Sequence, residues 1–465
     1  MISKSLAQKV LNAGLATGAD FAEIYLEEVT SNNLQVENGR VEVASSGITK
    51  GAGIRLLNKL QSIYGYTNDL SLKGLLKLAT SLAASFHDER KLTVSTIKRV
   101  RVKQSHGAEV PLSHVSKEEK IALMKEASNI MSSHDARIVR AQVSFADSEK
   151  KVTIFNSEGK EFNDVRLRGR MYVLALASQN GQIETSGEGP GAQAGFEYFT
   201  RDLDMKAIAL KTAKTAISTL EAKECPSGKM PVVIGNGFGG VIFHEACGHP
   251  LEATSVSRGL SVFANKIGEQ IANPVVTAID DGTIANAWGS GNIDDEGVPT
   301  QKTVLIENGI LKSYLIDNFN GRRMGQAGNG ASRRQSYRYE PTSRMSNTYI
   351  AAGKSTPEEI IASVKLGLYA KSLGGGSVNP TTGEFNFAAN EAYMIRDGKV
   401  AEQVRGATLI GSGADILMKI DMVAGDLARA QGMCGSVSGS IPVDVGQPTI
   451  RVSEITVGGR GGALK

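Results

Sequence analysis

The chain has 465 residues, of which 41% are hydrophobic and 22% charged, a composition typical of a folded globular protein with two or three domains. The 52 basic and 48 acidic residues leave a formal charge of only +4, which argues against a dedicated nucleic-acid-binding surface. No run of 18 apolar residues occurs, so we expect no membrane contact, and the three cysteines favour a reducing, cytoplasmic location.

Residues 1–100 are predicted to form a first domain of helices and antiparallel strands. An amphipathic helix precedes strands with alternating apolar residues, and the Asn38-Gly39 pair between two of them predicts a tight hairpin. Residues 108–220 are predicted to form a second domain of the same style. It begins with a helix, continues through two long strands and closes with another helix.

Residues 222–465 are predicted to form a larger, strand-rich domain with a mixed sheet or barrel-like body. Asn308-Gly309 and Asp397-Gly398 mark turns between its short strands. Glycine is abundant, with 52 residues where an average protein of this length has about 33. The whole chain therefore belongs to the α+β class.

The segment "HEACGH" at residues 244–249 resembles the zinc-protease motif H-E-x-x-H with one residue added. In an undisturbed α-helix, residues five apart point about 140° away from each other. His244 and His249 therefore share an ion only if a wide i→i+5 turn separates them, and such turns concentrate at functional sites. Gly248 and Pro250 favour a departure from α-helical backbone here. The hexapeptide alone leaves a metal site and chance proximity equally open.

Cys247 lies inside the same motif and has two interpretations. It could ligate a metal together with His244, but a free cysteine is more often a small buried apolar residue. We therefore expect Cys247 to belong to the core.

The motif and four downstream blocks together resemble the TldD/PmbA family of metallopeptidases, and more closely its metal-bearing TldD-type branch. The downstream blocks cover residues 291–315, 343–353, 404–413 and 433–459. The resemblance implies that His244, His249 and Cys434, in "MCGSVSGSIPVDVGQP", bind one zinc ion per chain. It also implies that Glu245 is the catalytic base, which takes a proton from water and passes it to the leaving amine.

The resemblance further implies a peptidase that hydrolyses unfolded or extended peptides inside a cavity enclosed by a dimer. The second subunit would be another copy or a related, metal-free PmbA/TldE-type chain. Two other hypotheses remain open: a non-hydrolytic regulatory or assembly subunit resembling a gyrase modulator, and a zinc oxidoreductase or deaminase. The second of these lacks support from any cofactor motif in the sequence.

Three further stretches have candidate roles. The carboxylates of "NIDDEG" at 292–297 could form a second cation site, although a polar loop is the favoured interpretation. Arg333 and Arg334, in a basic loop over 318–347, are candidates to contact peptide carbonyls or a carboxylate. Gly374, Gly375 and Gly376 are predicted to form a glycine loop, either a tight turn or an edge that accepts an extended peptide.

Overall fold

The computed structural model describes residues 2–379 and 383–464 of the chain. Its N-terminal part contains, in chain order, α1 (Lys4–Gly14), β1 (Phe21–Glu37), β2 (Arg40–Asn58), β3 (Gln61–Thr67), α2 (Leu72–Ala83), β4 (Lys98–Arg99), α3 (Lys117–Ser132), β5 (Ile138–Asn156), β6 (Lys160–Gln179), β7 (Gln182–Glu188), β8 (Gly191–Ala192) and α4 (Met205–Glu221).

One sheet of eight strands runs through this N-terminal part. Its order is β3-β2-β1-β5-β6-β4, and β7 and β8 also pair with β6. The predicted hairpin is present, because Glu37 pairs with Arg40 and both Asn38 and Gly39 have positive φ angles. The first two predicted segments share this sheet, since β1 pairs antiparallel with β5 along its length.

Each segment nevertheless packs its own pair of helices on the sheet. Side chains of α1 and α2, among them Leu11 and Leu75, bury one apolar cluster, and those of α3 and α4 bury another around Phe145. Helix α3 begins where the sequence favours it, because Ser116 and Glu119 form a reciprocal capping box.

The C-terminal part is richer in strands. It contains β9 (Lys223–Glu224), β10 (Gly228–Ile234), α5 (Val241–Phe243), α6 (Ala253–Val256), β11 (Ala278–Asp281), β12 (Lys302–Glu307), β13 (Ile310–Leu311), α7 (Asn318–Met324), β14 (Ser332–Arg333), β15 (Thr342–Ser343), β16 (Asn347–Ile350), α8 (Pro357–Ala362), β17 (Leu366–Val378), β18 (Glu384–Arg396), β19 (Lys399–Arg405), β20 (Thr408–Ser412), α9 (Gly413–Lys419), β21 (Ile420–Val423), β22 (Ala428–Ser436), β23 (Gly439–Gln447) and β24 (Ile450–Gly458).

Five of these strands close into a barrel in the order β17-β10-β24-β20-β18, because β18 also pairs with β17. A second, six-stranded sheet has the order β13-β12-β11-β16-β23-β22. The predicted turns at Asn308-Gly309 and Asp397-Gly398 both have positive φ angles. The predicted α+β class, with a mixed sheet and barrel-like body, is confirmed.

The segment that follows β10 packs its apolar side chains, including Ile242 and Phe243, into the barrel core. Strand β22 lies at one edge of the six-stranded sheet. The candidate site forms where these two elements meet. None of the helices within residues 2–379 and 383–464 combines the length and apolar character needed to cross a membrane.

Candidate metal centre

The motif segment contains the wide turn that the spacing of its histidines requires. Residues His244–Gly248 form a π-helical turn, in which the backbone N–H of His249 donates to the carbonyl of His244, five residues earlier. A 3₁₀ turn over His249–Leu251 follows. The predicted i→i+5 turn is therefore present.

The backbone achieves this turn differently from the prediction. Gly248 has φ −64° and ψ −51°, and His249 has φ −58° and ψ −42°, so both residues keep ordinary right-handed helical angles. Pro250 has no N–H, so the carbonyl of Ala246 cannot receive the usual α-helical hydrogen bond. Glycine at 248 serves close packing instead, because a Cβ there would lie 2.2 Å from the sulfur of Met345.

Three potential metal ligands converge across the gap between this turn and β22. The Sγ atom of Cys434 lies 3.2 Å from Nε2 of His249. The rings of His244 and His249 are nearly perpendicular, with centroids 5.2 Å apart. One ligand atom from each of the three residues lies within 4.8 Å of the others. Residues 185 positions apart in the sequence thus meet at one point.

Burial of these polar side chains costs free energy unless their nitrogen and sulfur atoms bind a ligand. His244 is 1% exposed, and neither of its ring nitrogens has a hydrogen-bond partner among the described residues. A buried polar atom without a partner calls for a specific explanation, such as a catalytic role or a bound ion or water. Two imidazoles and a thiolate are ligands that zinc accepts, and structural and catalytic zinc sites both use them. The donor set therefore fits a zinc ion.

The two histidines favour the ionised, thiolate form of Cys434. Burial raises the pKa of the Cys434 thiol, but His244 and His249 lower it more strongly, to about 4. A thiolate is the form that binds a metal. By contrast, Cys247 lies in the apolar core, where burial raises the pKa of its thiol and its sulfur contacts the carbonyl of Gly413 at 3.6 Å.

The sequence interpretation missed a carboxylate behind His249. Oε2 of Glu252 lies 3.1 Å from Nδ1 of His249, which leaves Nε2 directed toward Cys434. Burial lowers the pKa of His249, but Glu252 and the hydrogen bond to Cys434 raise it above its ordinary value. Histidines that bind metals usually donate their other ring N–H to such a carboxylate. The i,i+3 spacing of His249 and Glu252 on a helical turn was the available sequence signal.

Glu245 occupies an intermediate position between the buried ligands and solvent. Its Oε2 lies 3.7 Å from Nε2 of His249, and its side chain is 28% exposed. A carboxylate at that distance can reach a water molecule bound near the ligands and still exchange protons with solvent.

Comparison with known proteins agrees with this geometry. Sequence profiles for the PmbA/TldA metallopeptidase domain 1, central domain and C-terminal domain match residues 22–85, 110–220 and 227–459. The chain belongs to the PmbA/TldD metallopeptidase family. A Haemophilus influenzae relative named Metalloprotease TldD homolog is 38% identical over 95% of this chain and 93% of its own length. The predicted TldD-type branch is thereby confirmed.

Two solved structures share the fold of this chain at low sequence identity. A Thermotoga maritima protein described as a modulator of a DNA gyrase is 22% identical with a TM-score of 0.76, covering 94% of this chain and 96% of its own. TldE from Thermococcus kodakarensis is 19% identical with a TM-score of 0.76, covering 97% and 99%. Both comparisons extend across all three family domains.

The acidic loop at 292–297 is buried and paired with arginines from the N-terminal sheet. Arg55 forms ion pairs with Glu23, at 3.2 Å, and with Glu296. Burial raises the pKa of Asp295, but nearby arginines lower it below its usual value. The favoured interpretation, a polar loop, agrees with this arrangement, and its carboxylates are buried against arginines. We call these buried side chains the arginine–carboxylate network: Glu23, Arg55, Asp164, Arg166, Asp295, Glu296 and Arg334.

The two arginines predicted to contact substrate lie in different surroundings. Arg334 is 3% exposed and donates to Oε1 of Glu23 at 2.6 Å, so its guanidinium faces the protein interior and belongs to the network. Arg333 donates to the carbonyls of Met345 and Pro442, at 2.6 and 2.7 Å. This side chain therefore connects the segment beneath the histidine turn to the hairpin that carries the cysteine.

The predicted glycine loop is the end of a strand. Gly374, Gly375 and Gly376 lie in β17, where several irregularities interrupt the pairing with β18. Residues 380–382, in the same predicted loop, lie outside the described part of the chain. Gly374 and Gly375 line a cleft of about 510 Å³ together with Ala430 and Gln431 of the cysteine-bearing strand.

Proposed function

We propose that this protein is a zinc-dependent peptidase that hydrolyses unfolded or extended peptides, with one zinc ion per chain. The observation that carries the proposal is the buried cluster of His244, His249 and Cys434, in which both nitrogens of His244 lack a partner among the described residues. The metalloprotease name of the Haemophilus relative supports a peptide as the substrate.

The roles of the residues follow from their positions. His244, His249 and Cys434 hold the ion, which supplies Lewis acidity toward the attacking water and the peptide carbonyl. Oε2 of Glu245 accepts a proton from that water and delivers it to the departing amide nitrogen. Glu252 accepts a hydrogen bond from Nδ1 of His249 and thereby fixes the ring for ligation through Nε2.

The cleft beside β22 is the best candidate for the peptide. Gln431, in its lining, precedes Cys434 by three residues on one strand, a distance of about 10 Å. The backbone at Gly375 is unshielded, since a Cβ there would meet no atom within 4 Å. An extended peptide binds such a strand through backbone hydrogen bonds, whatever its sequence.

The proposed assembly is a dimer that encloses the site, with a second copy or a related, metal-free subunit as partner. The solved TldE structure, which has the same fold, supports a related subunit. Enclosure would admit only unfolded chains. The cytoplasm is the proposed location, because a thiolate ligand requires a reduced cysteine. Neither nucleic acid nor membrane is a proposed partner.

Replacing the proposed base tests the proposal. Glu245→Gln removes the proton acceptor and leaves the three ligands in place, so we expect zinc content to persist. Cleavage of an unfolded polypeptide should slow by about 10²–10⁴-fold. Glu307→Gln is the control, because Glu307 is an exposed carboxylate that pairs with Lys312; its rate should equal that of the wild type.

Each other outcome has a definite meaning. Unchanged cleavage by the Glu245→Gln protein would remove Glu245 as the base. A zinc-loaded wild-type chain that cleaves nothing, alone or with a TldE-type subunit, would favour the non-hydrolytic regulatory subunit.

A further inference from the structure

Arg344 is a fully buried arginine that contacts the strand of one proposed ligand directly. It is 0% exposed, and its Nη2 donates to the backbone carbonyl of Cys434 at 2.6 Å. Its Nη1 donates to Oγ of Ser438 and to the carbonyl of Gly439, each at 2.9 Å. One guanidinium therefore binds both strands of the β22–β23 hairpin.

This hairpin needs an internal support. Its turn pairs Ser436 with Gly439, and the side chain of Val437 at the tip is 79% exposed. Gly439 has a φ of +86°, a conformation that favours glycine. Gln335 also contacts this turn, through the carbonyl of Ser438 and the N–H of Ser440. Arg344 contacts the backbone of Cys434 itself, and therefore helps to fix the position from which the thiolate points.

The same arginine faces the carboxylate behind the second ligand. Nε of Arg344 lies 3.9 Å from Oε1 of Glu252, and neither atom has a hydrogen-bond partner among the described residues. The other oxygen, Oε2, lies 3.1 Å from Nδ1 of His249. Arg344 is therefore the one side chain described here that spans from the carbonyl of Cys434 to the carboxylate that orients His249.

We propose that Arg344 is a positioning residue that sets the separation and orientation of the His249 imidazole and the Cys434 thiolate, and thereby the affinity of the site for its metal. This inference rests on the proposed zinc site. A planar guanidinium holds several acceptors in fixed directions, whereas a lysine ammonium is a flexible point charge. Replacing arginine by lysine thus keeps the charge and loses the geometry.

A merely structural arginine would have different consequences. Arg334 offers the matched comparison, because it is also buried and also contacts backbone and carboxylate groups, but within the arginine–carboxylate network. Loss of either arginine lowers stability. Only the loss of Arg344 should change the affinity of the site for its metal and the coordination geometry of the bound ion.

The experiment uses cobalt(II) as a spectroscopic substitute in the full-length protein. The thiolate-to-cobalt absorption band reports the bond to Cys434, and the ligand-field bands report coordination geometry. Titration with Co²⁺, and with Zn²⁺ against a chromophoric chelator, gives affinities for the wild type, Arg344→Lys, Arg344→Met, Glu252→Gln and the control Arg334→Lys. Thermal unfolding of each metal-free protein is measured in parallel.

We expect Arg344→Lys and Glu252→Gln to weaken zinc binding by about 10–100-fold and to alter the cobalt spectrum. Arg344→Met should weaken binding at least as much as Arg344→Lys. Arg334→Lys should bind both metals as the wild type does, even where its unfolding temperature falls. Should Arg344→Met fail to fold, Arg344→Lys and the nearly isosteric Glu252→Gln decide the question.

Wild-type affinity and spectrum in both Arg344→Lys and Glu252→Gln would overturn the inference and leave the zinc site intact. Equal losses of affinity in Arg334→Lys and Arg344→Lys would also overturn it, because the effect would then be one of general stability. A wild-type protein without any thiolate-to-cobalt band would instead contradict the zinc site itself.

Discussion

The arginine–carboxylate network and the histidine–cysteine cluster are both buried, yet their polar groups are arranged in different ways. In the network, Arg55 lies against Glu23 and Glu296, and Arg334 lies against Glu23, so buried charges oppose one another. Some guanidinium nitrogens of Arg55 and Arg334 also lack a hydrogen-bond partner, but each guanidinium has a carboxylate against it, whereas both ring nitrogens of His244 lack a partner among the described residues.

The difference separates groups that hold the fold together from groups that require an added component. A buried charge needs an opposite charge, and the network supplies it from within the chain. The two imidazoles and the thiolate attract one another, but both ring nitrogens of His244 lack a hydrogen-bond partner among the described residues, so the burial of this ring makes physical sense only with a further ligand. Three predictions test this distinction.

Removing a ligand from the cluster should abolish activity without unfolding the protein. His244→Leu replaces two unpartnered nitrogens by apolar atoms, so the free energy of unfolding of the metal-free protein should change by about 1 kcal/mol or less. Peptide hydrolysis should fall by about 10³-fold or more, since the metal contributes several kcal/mol. Urea unfolding after chelation and a rate assay measure the two effects. A large loss of stability in the metal-free His244→Leu protein would contradict this prediction, because His244 would then stabilise the fold itself.

Removing one member of an ion pair in the arginine–carboxylate network should lower the stability of the protein and leave its zinc affinity unchanged. Arg55→Met leaves Glu296 buried without its opposing charge and should lower the free energy of unfolding by about 3–5 kcal/mol. Lys50→Met is the control, because Lys50 forms an exposed ion pair with Glu28 and should cost about 1 kcal/mol or less. Urea unfolding measures both variants. Zinc affinity equal to that of the wild type should accompany the lost stability, and a matching loss of zinc would couple the two regions.

Asp444 extends the comparison to a buried carboxylate whose side-chain partners, Arg429 and Gln431, lie at 3.4 and 3.3 Å. It is 1% exposed, and burial raises its pKa to about 6, although Arg429, 3.4 Å away, opposes the shift. Because the folded state holds this proton more tightly than the unfolded state, its contribution to stability is present below about pH 4 and is lost as the pH rises through about 6.

The loss should amount to about 1–3 kcal/mol, the smallest of the three effects. Asp444→Asn should remove this part of the pH dependence when urea unfolding is measured between pH 4 and 7. An unchanged slope in the variant would assign the pH dependence to other groups.

The sequence could reveal features that depend on neighbouring residues. The five-residue spacing of His244 and His249, together with Pro250, demanded a wide turn, and a π-helical turn is present. The hairpin at Asn38-Gly39 was equally local. The reason given for Gly248 was wrong, because its angles are ordinary and its role is to admit Met345.

Contacts between residues far apart in the chain could not be predicted in this way, because they have no local sequence pattern. Arg55 and Glu296 are 241 residues apart, so nothing near "NIDDEG" indicated that its carboxylates would be buried against arginines. Arg334 was predicted to contact substrate because it lies in a basic loop, and nothing in that loop indicated its contact with Glu23, 311 residues away. Arg344 and Glu252 are likewise brought together only by the fold. The position of Cys434 came from the family resemblance rather than from local spacing.

X-ray absorption at the zinc edge of the purified protein tests the central claim most directly, because it measures the atoms bound to the ion. We predict one sulfur neighbour at about 2.3 Å and nitrogen neighbours at about 2.0–2.1 Å. The sulfur contribution should be lost in Cys434→Ser and retained in Cys247→Ser, which replaces the buried cysteine within residues 244–249. A spectrum without sulfur, or one whose sulfur survives in Cys434→Ser, would contradict it.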